Sequence, residues 1–164
     1  MNRVLFVCLG NICRSPMAEA IFQNLLEKNA QTKAWSCDSA GTSNYHPGER
    51  PDRRTLQVLN KYGIQTQHRA RQILHHDFEE FSYLIAMDDQ HLEHMLRMQK
   101  SLPQNQAQIL RMIDFISDDQ NPSRHQEIPD PYYGDLSDFE AVYQLLKPGC
   151  ENLLSHILSH AQAL

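Results

Sequence analysis

Hydrophobic and polar residues alternate along the chain in blocks that read as strand, helix, strand, helix. Val4-Leu5-Phe6-Val7 is a short apolar run of strand length with β-branched content, placing a first strand at 3–7. Ala18, Ile21, Phe22, Leu25 and Leu26 then recur at helical spacing, so 16–29 reads as an amphipathic helix, with Ser15 as N-cap and Pro16 as its first residue. A second strand is expected at Trp35–Ser39, followed by a turn-rich loop from Gly41 to Pro51. Asp52 caps a helix whose face carries Leu56, Leu59 and Tyr62 and which stops at Gly63. Ser82–Met87 reads as a buried strand, Asp88 or Asp89 opens a helix through about Gln99, and Ile109–Ile113 is a fourth strand. After a polar loop from Ser117 to Pro131, helical spacing runs from Ser137 onward, with a kink or short break expected at Pro148-Gly149.

Crossovers of this length between strands imply an α/β fold, a parallel sheet covered by helices on both faces. The 164 residues suit one domain with a core of its own, spanning 1–164, with no repeat or linker in the chain. The formal charge of −5 leaves no global basic field to recruit nucleic acid or an anionic membrane. No apolar stretch approaches the length of a membrane span and no leader is expected at the N-terminus. The four cysteines form no secreted-type framework, which points to a reducing, cytoplasmic compartment.

The chemistry sits between the first strand and the first helix, in Cys8-Leu9-Gly10-Asn11-Ile12-Cys13-Arg14-Ser15-Pro16. A strand-to-helix loop gathers free backbone amides and the positive end of a helix dipole around one point, a ready anion site. A thiol at a helix N-terminus beside a guanidinium is favoured in its nucleophilic form. Arg14 can hold two oxygens of a tetrahedral anion in its planar fork, and the Ser15 hydroxyl can donate to the thiolate. A bare Cys-x5-Arg spacing arises easily by accident; here strand, loop, cap and helix fall in the order that nucleophilic attack on a phosphate ester requires. Leu9, Gly10, Ile12 and Cys13 complete the cradle.

The run Val-Leu-Phe-Val-Cys-Leu-Gly-Asn-Ile-Cys-Arg-Ser-Pro-Met-Ala-Glu resembles the signature loop of low-molecular-weight protein tyrosine phosphatases. Asp130-Pro131-Tyr132-Tyr133-Gly134 is similar to the segment where that family keeps its acid, and Asp38-Ser39-Ala40-Gly41, Gly63-Ile64, His68-Arg69-Ala70-Arg71 and Met87-Asp88 fall between them in family order. The resemblance covers nearly the whole chain. It implies a four-stranded sheet in the order 2-1-3-4, a cofactor-free and metal-free hydrolase, and a phosphotyrosine-containing protein or peptide as partner, with phosphate or another oxyanion in the loop and room for weak self-association.

It further implies Cys8 as nucleophile through a phosphocysteine intermediate, Arg14 as phosphate clamp and Asp130 as general acid and then base. Asn11 would hold the loop's backbone through Ser39 and His68, and Asn tolerates left-handed backbone better than most residues. Tyr45, Tyr132 and Tyr133 would wall the pocket. A low-pKa thiol with Cys13 close by is expected to be redox-sensitive. Four alternatives stand beside this reading. A phosphocysteine carrier would not need Asp130. An arsenate reductase of this fold needs redox cysteines near 75–95, where there are none. A phosphoarginine phosphatase would carry a smaller polar residue where Ile12 stands. A non-catalytic phosphotyrosine-binding module would not need Cys8, Arg14 and Asp130 all intact. The pairs His91/His94 and His156/His160 have metal-compatible spacing without a third ligand and read as solvated helix faces; Met95 and Met98 read as core or boundary, and Cys37 and Cys150 as small core hydrophobes.

Overall fold

The computed structural model describes residues 1–162. The strands are β1 (Asn2–Cys8), β2 (Trp35–Gly41), β3 (Tyr83–Ala86) and β4 (Gln108–Arg111), and they form one parallel sheet in the order β2-β1-β3-β4. The helices are α1 (Arg14–Lys28), α2 (Arg53–Lys61), α3 (Asp77–Glu80), α4 (Asp89–Lys100) and α5 (Leu136–Gln162). Because side chains alternate across a strand, central β1 splits its apolar run between the two faces. Val4 and Phe6 join the cluster built with α1, α2 and α5, and Leu5 and Val7 join the one with Phe78 of α3 and Met95 of α4. The sheet is therefore covered on both sides, and the end of β1 opens at its carboxyl edge between β2 and β3. In open sheets of this kind that edge, where the strand order reverses, is where ligands bind.

Several local expectations change in the folded chain. Helix α1 begins at Arg14 with Cys13 at the N-cap position and no side-chain cap. Ser15 does not cap because its hydroxyl is taken by Cys8 and Asn11, and Pro16 sits inside the first turn, where its missing N–H has no intrahelical acceptor to lose. The buried face of α2 is Thr55, Val58 and Leu59 rather than the Leu56 side, since the Thr55 hydroxyl donates to the Cys13 carbonyl (3.3 Å) and turns that face onto the loop. Strand β4 ends at Arg111 and Met112–Phe115 curls into a 3₁₀ turn, with Arg111 reaching forward to Asp114 (2.8 Å). The short helix α3 had no periodic signal.

Helix α5 runs unbroken through Pro148. Leu146, Cys150 and Leu153 around it are fully buried, so the packing of one long apolar face holds the helix across the lost hydrogen bond. His91 is buried, not solvated as expected. Burial pushes its imidazole down to about 4, outweighing the nearby Asp88 carboxylate, so it is neutral. Met95 and Cys150 are core residues as expected, and Cys37 is half-buried.

Candidate active site

β1 delivers Cys8 to the carboxyl edge of the sheet, where the residue is 3 % exposed and its sulfur lies 2.9 Å from the Ser15 hydroxyl. The chain then reverses around Asn11, which adopts φ 58, the left-handed region that Asn enters at least cost among side-chain-bearing residues. All four hydrogen-bonding positions of the Asn11 amide are used. Its nitrogen donates to Ser15 Oγ (2.8 Å) and Ser39 Oγ (3.0 Å), and its oxygen accepts from His68 Nε2 (2.7 Å) and the Arg71 amide (3.0 Å). With this saturation a single buried side chain fixes the loop from within. Among the described residues, the backbone amides of Leu9 to Cys13 donate to no protein carbonyl. They remain available to an anion.

The support for Asn11 is ionic. His68 Nδ1 lies 3.0 Å from Glu19 and 3.5 Å from Asp38. Burial alone would lower this imidazole, but the hydrogen bonds and charges of the Asp38 and Glu19 carboxylates raise it to about 9. Both ring nitrogens then carry protons, which suits donation to Glu19 on one side and Asn11 on the other. Glu19, Asp38 and His68 also converge closely enough to resemble a metal-ligand set. A doubly protonated ring has no lone pair to give, and the group reads as a hydrogen-bond knot.

Arg14, 4 % exposed, has its Nη1 committed to Asp88 Oδ2 (3.0 Å) and the Ile128 carbonyl (2.9 Å). Nη1 has no further hydrogen to donate, which leaves the Nε and Nη2 edge as a fork matching two oxygens of a tetrahedral anion. Asp130 Oδ2 stands 3.9 Å from Nη2, on a partly exposed side chain at the rim. Cys8, Leu9, Gly10, Ile12, Cys13 and Arg14 line the floor of one cavity. Its walls come from Tyr45, His46, Asp130, Tyr132 and Tyr133. Tyr133 is 93 % exposed and touches only the mouth, whereas Ile12 is largely buried against the cavity. Burial and the charge of Asp52 push the Cys13 thiol far up, so it stays protonated beside Cys8.

The fold thus brings together every residue expected from the sequence: Cys8, Arg14 and Asp130, the supports Asn11, Ser15, Ser39 and His68, and the tyrosines of the rim. It also adds groups that sequence reasoning left without a role. Asp88 was visible only as a helix cap. It does cap α4, accepting from the His91 amide (3.0 Å), but its second oxygen orients Arg14. Ile128 contributes a backbone carbonyl, which no sequence pattern marks. His46 lies in a loop without periodicity; it pairs with Glu49 (2.8 Å) and stands over Gly10.

Comparison with known proteins agrees with this geometry. Residues 3–163 match the family model described as low molecular weight phosphotyrosine protein phosphatase. The rat protein of that name is 42 % identical over 92 % of this chain and 92 % of its own. A crystal structure of a protein tyrosine phosphatase from Entamoeba histolytica superposes with a TM-score of 0.88 at 35 % identity, covering 98 % of this chain and 99 % of the other. The Drosophila protein DARP, titled an arginine phosphatase, superposes at 0.87 with 36 % identity over 96 % of this chain and 98 % of its own. With the saturated Asn11 turn, the free fork of Arg14 and Asp130 at the rim all carried by matched segments, this chain belongs to the low molecular weight phosphotyrosine protein phosphatase family.

Proposed function

We propose that this protein hydrolyses phosphotyrosine in proteins or peptides through a phosphocysteine intermediate, as one domain spanning residues 1–164, in a reducing compartment such as the cytoplasm. The observation that carries this reading is the cavity shared by Cys8, Asp130 and the Nε and Nη2 edge of Arg14. In the first step the Cys8 sulfur attacks phosphorus, the S–P bond forms, and the P–O bond to the phenol breaks. The loop amides and Arg14 hold the equatorial oxygens, a stabilisation that costs no reorganisation because Asn11 has already fixed the loop. Ser15 donates to the thiolate. Tyrosine leaves with a pKa of roughly 10, so Asp130 gives its proton to the departing oxygen. In the second step ionised Asp130 takes a proton from water as the water attacks phosphorus, the P–S bond breaks and phosphate is released.

The test is a pair of substitutions. Cys8→Ser is expected to abolish turnover while keeping phosphate binding, because the cradle survives without the thiolate. Asp130→Ala is expected to lower kcat/KM on phosphotyrosine by about 100-fold or more and to spare strongly activated aryl phosphates. Residual turnover in Cys8→Ser near that of the parent would exclude the covalent route.

Phosphoarginine is the second substrate to consider, because DARP shares the fold at a TM-score of 0.87. Ile12 favours phosphotyrosine: its buried aliphatic side chain suits a ring edge and leaves a guanidinium without a polar partner.

A further inference from the structure

Asp130 sits in a short turn whose two ends are each held by an arginine. Upstream, the Ile128 carbonyl accepts from Arg14 Nη1 (2.9 Å), and the Ile128 amide donates to the Met87 carbonyl at the end of β3 (2.9 Å). Downstream, Arg54 Nη1 donates to the Gly134 carbonyl (2.8 Å) and Nη2 to the Tyr132 carbonyl (3.0 Å). Arg54 is itself fixed on the other side. Its Nε reaches Asp52 Oδ1 (3.0 Å), its Nη2 reaches Asp52 Oδ2 (3.0 Å), and its guanidinium lies 4.3 Å from the Phe139 ring centroid. Asp52 belongs to the nucleophile's side of the site, since its amide donates to the Ile12 carbonyl (2.8 Å).

A continuous path therefore runs from the Cys8 loop through Ile12, Asp52 and Arg54 to the acid turn. We propose that Arg54 is a positioning residue for proton transfer, a strut that sets where Asp130 stands relative to the loop holding Cys8. The inference rests on the reading of Asp130 as the leaving-group acid.

The chemistry of the strut is specific to arginine. A planar fork can bind one carboxylate and two carbonyls at once, whereas an ammonium is a single point of attachment. The turn needs such a hold. Its hydrogen bonds are few: the Tyr132 amide to Asp130 Oδ1 (3.1 Å) and the Gly134 amide to the Pro131 carbonyl (2.9 Å). Pro129 and Pro131 stiffen the backbone but donate nothing. Without Arg54 the downstream half of the turn is left with the burial of Pro131 and the start of α5 as its anchors, and an acid displaced by an ångström loses most of its value in proton transfer.

The experiment compares the parent, Arg54→Lys, Arg54→Met and Asp130→Ala across aryl phosphates whose leaving groups range from strongly activated to tyrosine-like. The readout is kcat/KM, which reports the step in which the aryl oxygen departs. Inorganic phosphate inhibition is measured in each variant as an index of the loop. Both Arg54 variants are expected to lose about tenfold on phosphotyrosine and less than about twofold on the most activated ester, with phosphate inhibition unchanged. Lysine should not rescue.

Equal loss on all esters, or phosphate inhibition weakened in parallel, would make Arg54 a structural residue of the loop and overturn the proposal. Full activity in Arg54→Lys would overturn the strut geometry. If Asp130→Ala itself shows no leaving-group dependence, the acid reading fails and this inference falls with it. If only the Arg54 variants lack that dependence, the acid reading stands and the strut alone is wrong.

Discussion

At the scale of single residues, the site divides into groups that face the cavity and groups that hold them there. Ile12 belongs to the first set and tests selectivity. Replacing it with threonine supplies a hydroxyl at the cavity wall and removes part of the apolar contact. The ratio of kcat/KM for phosphotyrosine over phosphoarginine is expected to fall about tenfold in Ile12→Thr, the scale on which a small pocket change discriminates. An unchanged ratio, measured with both substrates on one preparation, would move the filter to the aromatic rim. Ile12 was legible in the sequence because its place in the loop is fixed by counting from Cys8. Asp88 was not, because a helix cap and an arginine partner look identical as a lone Asp before a helix.

At the scale of elements, the loop's shape depends on how closely β2 approaches it. The Thr42 amide donates to the Cys8 carbonyl (2.9 Å) and the Ser43 amide to the Leu9 carbonyl (3.0 Å). A Cβ on Gly41 would stand 2.6 Å from the Leu9 carbonyl oxygen, a backbone atom that cannot swing away. Gly41→Ala is therefore expected to displace the loop, weakening phosphate inhibition about tenfold or more and lowering the unfolding midpoint, both measurable on one sample. Parent-like phosphate inhibition would show that the loop tolerates the shift.

Helix α5 offers the opposite sign. Pro148 interrupts its ladder without breaking it, so Pro148→Ala is expected to stabilise the protein by about 1–3 kcal/mol in denaturant unfolding. A fall in stability would mean that the proline ring packs better than the restored hydrogen bond rewards.

At the scale of the whole molecule, His68 joins parts that lie far apart in sequence. It touches α1 through Glu19, β2 through Asp38 and Ser39, and the phosphate loop through Asn11. Its pKa in the fold, about 9, lies above its ordinary 6.5, so the native state binds the proton more tightly than the unfolded chain. That contribution is fully present below about pH 6.5 and is lost as pH rises through about 9. The sign is opposite for Asp38. Burial opposes its charge, but the His68 hydrogen bond and Arg71 win and hold it at about 2, so its contribution is present above 3.8 and lost as pH falls toward 2.

The two describe one knot and are not additive. The parent is expected to lose on the order of 2 kcal/mol of unfolding free energy between pH 6.5 and 9. His68→Gln should flatten that decline; an equal slope in both proteins would place the titrating group elsewhere.

The linear sequence determined the alternation of strands and helices, the split of apolar residues between two faces, and the placement of Cys8 and Arg14 on one strand-to-helix loop. These follow from periodicity and short-range spacing, which local sterics and hydrogen bonding enforce. It also put at position 11 a residue type that enters the left-handed region at low cost, while the partners that hold the turn, Ser39, His68 and Arg71, arrive only through the fold. What it could not determine was long-range closure. The convergence of Asp88, Ile128 and Asp130 on Arg14 spans more than a hundred residues, from Arg14 to Ile128, and no local rule links them. The burial of His91, the face of α2 turned by Thr55, and the survival of α5 across Pro148 were likewise decided by packing. Each is a case in which many weak tertiary contacts, acting together on a local preference of about 1–3 kcal/mol, outweighed it.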